Sequence, residues 1–168
     1  LLQQELVKFF EDFASKPSVF KNKKAFASVF VPDDIPHRSE QIRHIANIIA
    51  PALKQEKHSN LFIYGKTGTG KSLTVKYTTR ELQVAANKNN IQLAIISLNC
   101  KMKRVSDTEY GLIAQLAREL GKTIPATGLP TDEVYKLFQQ AVDEQERPII
   151  IILDEVDQLA KKTGSEVL

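Results

Sequence analysis

An eight-residue motif constrains this chain more than any other feature of its sequence. The motif is Gly65, Lys66, Thr67, Gly68, Thr69, Gly70, Lys71, Ser72, and it satisfies the pattern G-x-x-x-x-G-K-[ST]. The glycines remove the Cβ atoms that would clash where backbone N–H groups wrap phosphate oxygens. Apolar residues 61–64 predict a short strand before the motif, and the spacing of residues 71–88 predicts a helix after it. The sequence therefore predicts a phosphate-binding loop between a strand and a helix.

The side chains of the motif suit a nucleoside triphosphate bound with Mg²⁺. Lys71 is placed to neutralise the β- and γ-phosphates and is a catalytic candidate, while the Ser72 hydroxyl is a candidate Mg²⁺ ligand. Leu73 lies in the first turn of the predicted helix, whose unpaired N–H groups and positive dipole end add to the site. We therefore predict that residues 65–73 bind ATP or ADP with Mg²⁺. The alternative is a glycine-rich turn with a solvated lysine.

An acidic pair follows the most apolar strand of the sequence. Residues 149–153 are five branched aliphatics in a row, and Asp154 and Glu155 come directly after them. Ligands of open α/β sheets bind at the carboxyl ends of the strands. Asp154 is therefore predicted to hold Mg²⁺, directly or through water, and Glu155 to orient and deprotonate the water that attacks the γ-phosphate. The alternative is a helix start with acids in its first turn; Asp157 is expected to cap the turn that follows.

The order of the predicted elements indicates an α/β fold with a parallel sheet. Residues 91–98 predict a buried strand, and helical spacing occurs in residues 3–13, from Ser39 onwards, in residues 107–120 and in residues 131–145. Strands that alternate with helices favour a parallel sheet with helices on its faces. About fifty residues separate the second and the acidic strand, and they hold two helical segments where a minimal crossover needs one. An extra helix is therefore inserted there.

Composition excludes a few classes of protein. The 168 residues contain no apolar run near the length of a membrane-spanning helix. Cys100 is the only cysteine, which rules out an internal disulfide and a multi-cysteine metal site and fits a reducing, intracellular setting. The three histidines lack metal-ligand spacing. A net charge of +3 hardly favours nucleic acid over other partners.

Taken together, these motifs resemble the initiator branch of the AAA+ ATPases, and more closely the archaeal Orc/Cdc-six replication-origin proteins. The resemblance spans residues 20–159, nearly all of the chain. Its matching segments are residues 31–38, the phosphate loop, Asn99-Cys100, residues 108–110, residues 128–130 and residues 153–157. It implies a P-loop AAA+ fold over residues 29–168, preceded by a helical and basic extension over residues 1–28.

The resemblance assigns roles that the residue pattern alone leaves open. Val31, Pro32, Ile35 and Arg38 would lie against the adenine and ribose, although residues 31–36 could also be a plain extended connector. Asn99 would contact and restrain the catalytic glutamate, or it simply terminates its strand. The inserted helical region after Cys100 would touch origin DNA.

Two basic clusters are candidates for the DNA contact. The first consists of Lys101, Lys103 and Arg104, and the second of Lys21, Lys23 and Lys24. Both lack the interleaved aromatic residues of a single-strand platform, and both could be ordinary solvated surface. The partners implied by the resemblance are duplex origin DNA, the replicative helicase and other initiator subunits, in a cytoplasmic, nucleoid-associated protein without a membrane anchor.

The resemblance also predicts parts that this sequence does not contain. A family member would continue with two more strands that carry a polar sensor and an arginine finger, then a helical lid and a winged-helix domain. We therefore expect the chain to be a portion of a longer protein, with an incomplete sheet on its C-terminal side and poor ATP hydrolysis by itself. Two other functions stay open, namely an AAA+ or signalling ATPase outside replication and a module that holds ADP as a structural cofactor.

Overall fold

The computed structural model describes residues 2–17, 20, 23, 27, 30–101, 108–125 and 128–163. It divides into two compact units, Leu1–Asp34 and Ile35–Leu168. The first unit contains helix α1 (Leu2–Ser15), which confirms the helix predicted over residues 3–13. Its aromatic side chains are exposed and touch one another, since the ring of Phe9 packs edge-on to Phe10 at 5.7 Å and parallel to Phe13 at 6.5 Å.

The second unit alternates helices with two strands. Its elements are α2 (Ser39–Ile49), a 3₁₀ helix (Ala50–Lys54), α3 (Lys71–Lys88), β1 (Ala94–Asn99), α4 (Glu109–Glu119), α5 (Thr131–Asp143), β2 (Ile149–Asp154) and α6 (Val156–Thr163). Helix α2 ends next to Pro51, where the backbone tightens into the 3₁₀ helix from Ala50. The Thr108 hydroxyl begins α4 by accepting a hydrogen bond from the Gly111 N–H.

The two strands are parallel, as predicted, and they are direct neighbours. They pair in register from Ala94 opposite Ile149 to Asn99 opposite Asp154, so both carboxyl ends lie at the same edge. The pairing continues one residue further, since the Cys100 N–H donates to the Asp154 carbonyl at 2.8 Å. This register places the residues that follow β1 beside the acidic pair that follows β2.

Helices cover both faces of the strand pair. Ile96 and Leu98 of β1 point into a cluster with α4, α5 and Leu159 of α6, whereas Ile150 of β2 points into a cluster with α2 and α3. Successive strand residues face opposite sides of a sheet, so the apolar runs of β1 and β2 supply both clusters. The result is a three-layer α/β/α arrangement, and α3 leads directly from the phosphate loop into one of its layers.

One predicted strand is absent, and a helix follows the acidic pair. Residues 61–64 form no strand, and Phe62 and Tyr64 are 69% and 83% exposed. A strand needs a hydrogen-bonding partner, and among the described residues β1 and β2 pair only with each other. Helix α6 begins directly after Glu155 and has Asp157 in its first turn, so the helix start that was the alternative for the acidic pair is present. No helix in the described part of the chain is long and apolar enough to span a membrane.

Candidate functional site

The phosphate loop adopts a backbone that only glycine takes up readily. Gly65, Gly68 and Gly70 have φ angles of 146°, 79° and 82°. A Cβ on Gly68 or Gly70 would meet no protein atom within 4 Å. The glycines are therefore required by their backbone conformation and not by crowding within the protein.

The carbonyl groups of the loop are held by side chains. Lys71 Nζ donates to the carbonyls of Gly65 and Lys66, both at 2.9 Å, and the Thr69 hydroxyl donates to the Lys66 carbonyl at 2.9 Å. The Gly70 carbonyl accepts from the N–H and the hydroxyl of Thr74, again at 2.9 Å. The carbonyl groups of these three residues are thus bonded within the protein.

The N–H groups of the loop have no such partners. Within the described residues, none of the backbone N–H groups from Lys66 to Leu73 donates a hydrogen bond to another protein group. The last three belong to the first turn of α3, which lacks intrahelical acceptors for them. A run of exposed N–H donors at the positive end of a helix is suited to bind a multiply charged anion such as a polyphosphate.

The acidic end of β2 is hydrogen-bonded to the phosphate loop. The Ser72 hydroxyl donates to Asp154 Oδ1 at 2.9 Å, and the Glu155 N–H donates to the same oxygen at 3.1 Å. Ser72 lies in the first turn of α3 and Asp154 is the last residue of β2, so packing of α3 on the sheet brings the two together. The two residues predicted as Mg²⁺ ligands are therefore in direct contact.

The chemistry of this pair fits Mg²⁺. A hydroxyl and a carboxylate are hard oxygen donors, and proteins bind Mg²⁺ through one or two such groups together with water and phosphate oxygens. No cluster of three or more His, Cys, Asp or Glu side chains suited to a metal occurs in the described ranges. The residues thus fit an ion that is shared with a phosphate ligand better than one held by protein alone.

Glu155 adopts a left-handed backbone and faces a lysine. Its φ is 55°, its side chain is 41% exposed, and its Oε2 lies 4.0 Å from Lys101 Nζ. Asn99 Oδ1 accepts from the Lys101 N–H at 2.8 Å, and no described hydrogen bond links Asn99 to Glu155. The predicted restraint of the glutamate by Asn99 stays a prediction. The ion pair with Lys101 was not anticipated, although adjacent parallel strands place both residues just past neighbouring strand ends.

Cys100 lies beneath the acidic pair. Its side chain is fully buried, and burial, followed by the negative charges of Asp154 and Glu155, raises the pKa of its thiol. A thiol with a raised pKa is a poor nucleophile. Cys100 therefore belongs to the packing under the site and not to its chemistry.

The residues predicted to wall the base are distributed over both units. Ile35 is buried, and Arg38 immediately precedes α2, where its guanidinium donates from Nη2 to the carbonyl of Thr69. Val31 and Pro32 are partly exposed and belong to the first unit. Of the predicted DNA cluster, Lys101 is exposed, whereas Lys103 and Arg104 lie outside the described residues.

Comparison with known proteins adds a family to this geometry. A family model described as AAA domain matches residues 54–168. ORC1-type DNA replication proteins of Pyrococcus abyssi and Methanosarcina mazei are 45% and 43% identical to this chain over 99% and 98% of its length. The chain spans 40% and 39% of those two relatives. It therefore corresponds to about two fifths of each.

Solved structures agree with the fold. The Aeropyrum pernix ORC1 protein, solved in complex with DNA, is 34% identical, with a TM-score of 0.78 over 86% of this chain and 37% of its own. The Aeropyrum pernix ORC2 protein, solved as ADPNP and ADP complexes, shares the fold with a TM-score of 0.67 at 19% identity, over 88% of this chain and 39% of its own. The α/β P-loop architecture predicted from the sequence is thereby confirmed.

Proposed function

The chain belongs to the AAA domain family, with ORC1-type DNA replication proteins among its relatives, and from this premise we propose that it is the nucleotide-binding part of a replication initiator. The proposed ligand is ATP or ADP with Mg²⁺. The whole protein binds origin DNA and helps to load the replicative helicase. The nucleotide acts as a switch that changes both activities. ATP hydrolysis belongs to the whole protein.

One observation carries the nucleotide part of this proposal. The 2.9 Å hydrogen bond from Ser72 to Asp154 joins a loop of unpaired N–H donors to a carboxylate at a strand end. The N–H groups supply hydrogen bonds to phosphate oxygens, and the Lys71 amino group supplies positive charge within the same loop. The hydroxyl and the carboxylate supply oxygen ligands for Mg²⁺ where loop and strand meet.

Glu155 is the proposed general base. Its carboxylate follows Asp154 directly and is 41% exposed, so a water molecule can reach it. It accepts one proton from the water whose oxygen bonds to the γ-phosphorus, while the bond from that phosphorus to the bridging oxygen of ADP breaks. Lys71 stabilises the negative charge on the phosphate oxygens during this transfer.

Nucleotide binding is tested by calorimetry on the intact protein. We expect ATP to bind more tightly with Mg²⁺ than in EDTA, and Asp154→Asn to remove that difference. Glu155→Gln should retain ATP binding and lower turnover by at least about a hundredfold, because it removes the base but keeps the shape of the side chain. If Glu155→Gln hydrolysed ATP as fast as the wild type and held ADP tightly, the nucleotide would instead be a structural cofactor.

The DNA part of the proposal rests on the first basic cluster. An ORC1 relative has been solved in complex with DNA, and the exposed Lys101 begins the cluster that also holds Lys103 and Arg104. Reversing these three charges should weaken binding of duplex DNA. It should also flatten the salt dependence of the affinity, because binding releases about one counterion fewer for each phosphate contact that is lost. Reversing Lys21, Lys23 and Lys24 is the matched control, with an equal change in charge. Equal losses in both variants would contradict the assignment.

A further inference from the structure

Arg38 contacts the phosphate loop itself, which a position against adenine and ribose does not explain. Its guanidinium donates to the carbonyl of Thr69, between the glycines Gly68 and Gly70. The Arg38 backbone is fixed, because its own carbonyl accepts the Ile42 N–H at 2.9 Å as α2 begins. The side chain is half-buried. Because of these two hydrogen bonds, Arg38 connects the start of α2 to the end of the loop.

The two ends of this connection belong to one packed layer. Ile45 and Ile49 of α2 share an apolar cluster with Leu82 and Ala86 of α3. Helix α3 begins at Lys71, one residue after the loop's last glycine. Helix packing therefore sets the distance between the backbones of Arg38 and Thr69, and the Arg38 side chain spans that distance through an exposed hydrogen bond.

The geometry of the peptide bond turns this contact into a constraint on Gly70. The described peptides are trans, and in a trans peptide the C=O and the following N–H point to opposite sides. A donor that holds the Thr69 carbonyl therefore directs the Gly70 N–H away from the guanidinium. Without that donor, the peptide between Thr69 and Gly70 can rotate at low cost, because glycine tolerates many backbone conformations. The Gly70 N–H itself donates to no described protein group.

We propose that Arg38 is a positioning residue for the phosphate loop. It holds the peptide between Thr69 and Gly70 so that the Gly70 N–H faces the polyphosphate part of the ligand. This inference rests on the proposed function, since it concerns the same site. Its consequence is that Arg38 determines affinity for the phosphates and not for the base.

Three roles for Arg38 give different binding patterns. A wall for adenine and ribose would weaken adenosine and ATP alike. A positive charge near the loop would act on every polyphosphate but would be screened by salt. A positioning contact acts on polyphosphates whether or not they carry a base, and it persists at high salt because it is a short-range hydrogen bond.

The experiment compares ligands and salt in the intact protein. Binding of ATP, inorganic tripolyphosphate and adenosine is measured at about 0.1 and about 0.5 M salt. We expect Arg38→Gln to weaken ATP and tripolyphosphate by the same factor, about tenfold at both salt concentrations, and to leave adenosine unchanged. Arg38→Lys, which keeps the charge, should also weaken binding of both phosphate ligands, because a single ammonium group does not reproduce the planar donor geometry of the guanidinium.

Arg43 provides the matched control. It is an exposed arginine on α2, five residues after Arg38, and Arg43→Gln removes the same charge from the helix that Arg38 precedes. It should leave tripolyphosphate binding within about twofold of the wild type. Equal weakening of adenosine, loss of the effect at high salt, or full retention of affinity in Arg38→Lys would each overturn the inference. Failure of the wild type to bind ATP or tripolyphosphate would instead overturn the proposed function.

Discussion

Cys100 is a natural reporter of the acidic site, because it is the only cysteine and lies fully buried beside Asp154 and Glu155. Burial and the two carboxylates raise the pKa of its thiol, so the reactive thiolate forms only at higher pH than in the unfolded chain. We expect the pKa of Cys100, followed by the pH dependence of its Cβ chemical shift in NMR, to be higher in the folded protein than in urea. Asp154→Asn should lower that pKa only in part, since burial is the larger cause.

The titration has an internal check. In urea, Asp154→Asn and the wild type should titrate with the same midpoint, because the carboxylate is then far from the thiol. A folded midpoint equal to the unfolded one would show that Cys100 does not lie beneath the acidic pair.

Gly70 tests the backbone of the loop separately from its contacts. Its φ of 82° is costly for any residue with a Cβ, yet a Cβ there would meet no protein atom within 4 Å. Gly70→Ala should therefore lower the free energy of unfolding by about 1–2 kcal/mol through backbone strain. It should also weaken nucleotide binding, because relief of that strain moves the Gly70 N–H. Both effects are measured by denaturant unfolding and by calorimetry.

Gly121→Ala is the control for Gly70→Ala. Gly121 has a φ of 95° and an equally open surrounding, but it lies after α4 and outside the loop. It should lose comparable stability and keep nucleotide affinity. Equal loss of affinity in both variants would mean that general destabilisation, and not the loop backbone, is responsible.

The residues of the site were predictable to different degrees. The loop and the acidic pair are local motifs, so residue types and spacing predict Ser72 and Asp154 separately as Mg²⁺ ligands. Their direct contact depends on the packing of α3 on the sheet. The contact from Arg38 to Thr69 joins residues thirty-one positions apart, and only the packing of α2 on α3 brings them together. The pair of Lys101 and Glu155 likewise depends on strand order, which single-residue patterns do not contain.

At the scale of elements, a partly buried side-chain hydrogen bond connects helices α4 and α5. The Tyr135 hydroxyl donates to Glu109 Oε1, and this bond, with burial and the carboxylate charge, raises the pKa of Tyr135 to about 12. The folded state therefore favours the protonated phenol, and its contribution to stability is present below pH 10 and is lost as the pH rises toward 12. We expect Tyr135→Phe to lower the free energy of unfolding by about 1 kcal/mol below pH 10.

The pH dependence separates this bond from an ordinary one. Tyr135→Phe should lose less stability than the wild type between pH 10 and pH 12, so the two unfolding free energies converge there. Tyr110→Phe removes a hydroxyl that donates to the carbonyl of Pro125 at 3.2 Å, with no carboxylate as its partner. That variant should keep the steeper wild-type dependence. Parallel curves for Tyr135→Phe and the wild type would contradict the assignment.

Elements were predictable where their signals are local. The bounds of α3 match the predicted residues 71–88, because a positive-φ glycine precedes the helix and an asparagine turn ends it. The prediction of a strand over residues 61–64 was wrong, since apolar composition alone cannot form a strand without a paired neighbour. The start of helix α6 was predictable only as an alternative, because the acids that begin it also fit a Mg²⁺ site.

At the scale of the whole molecule, the candidate site is where one helix layer of the second unit, formed by α2 and α3, meets the strand layer. Helix α3 delivers the loop, β2 delivers the carboxylates, and α2 delivers Arg38. A ligand that spans these contacts binds the folded state only, so it must raise the stability of the fold in proportion to the logarithm of its concentration. The magnesium-dependent part of that stabilisation isolates the contact between Ser72 and Asp154.

The last prediction therefore concerns the free energy of unfolding when nucleotide is bound, which is followed through the melting temperature. At about a hundred times the dissociation constant, ATP with Mg²⁺ should add about 2.7 kcal/mol to the free energy of unfolding. In EDTA the gain should be smaller, because the carboxylate then faces phosphate oxygens without an intervening cation. Asp154→Asn should show the same gain with and without Mg²⁺, whereas Asp143→Asn, an exposed change at the end of α5, should behave as the wild type. If Asp154→Asn retained a magnesium-dependent gain, the metal would have to be held by other groups and the link from β2 to the phosphate loop would serve only the fold.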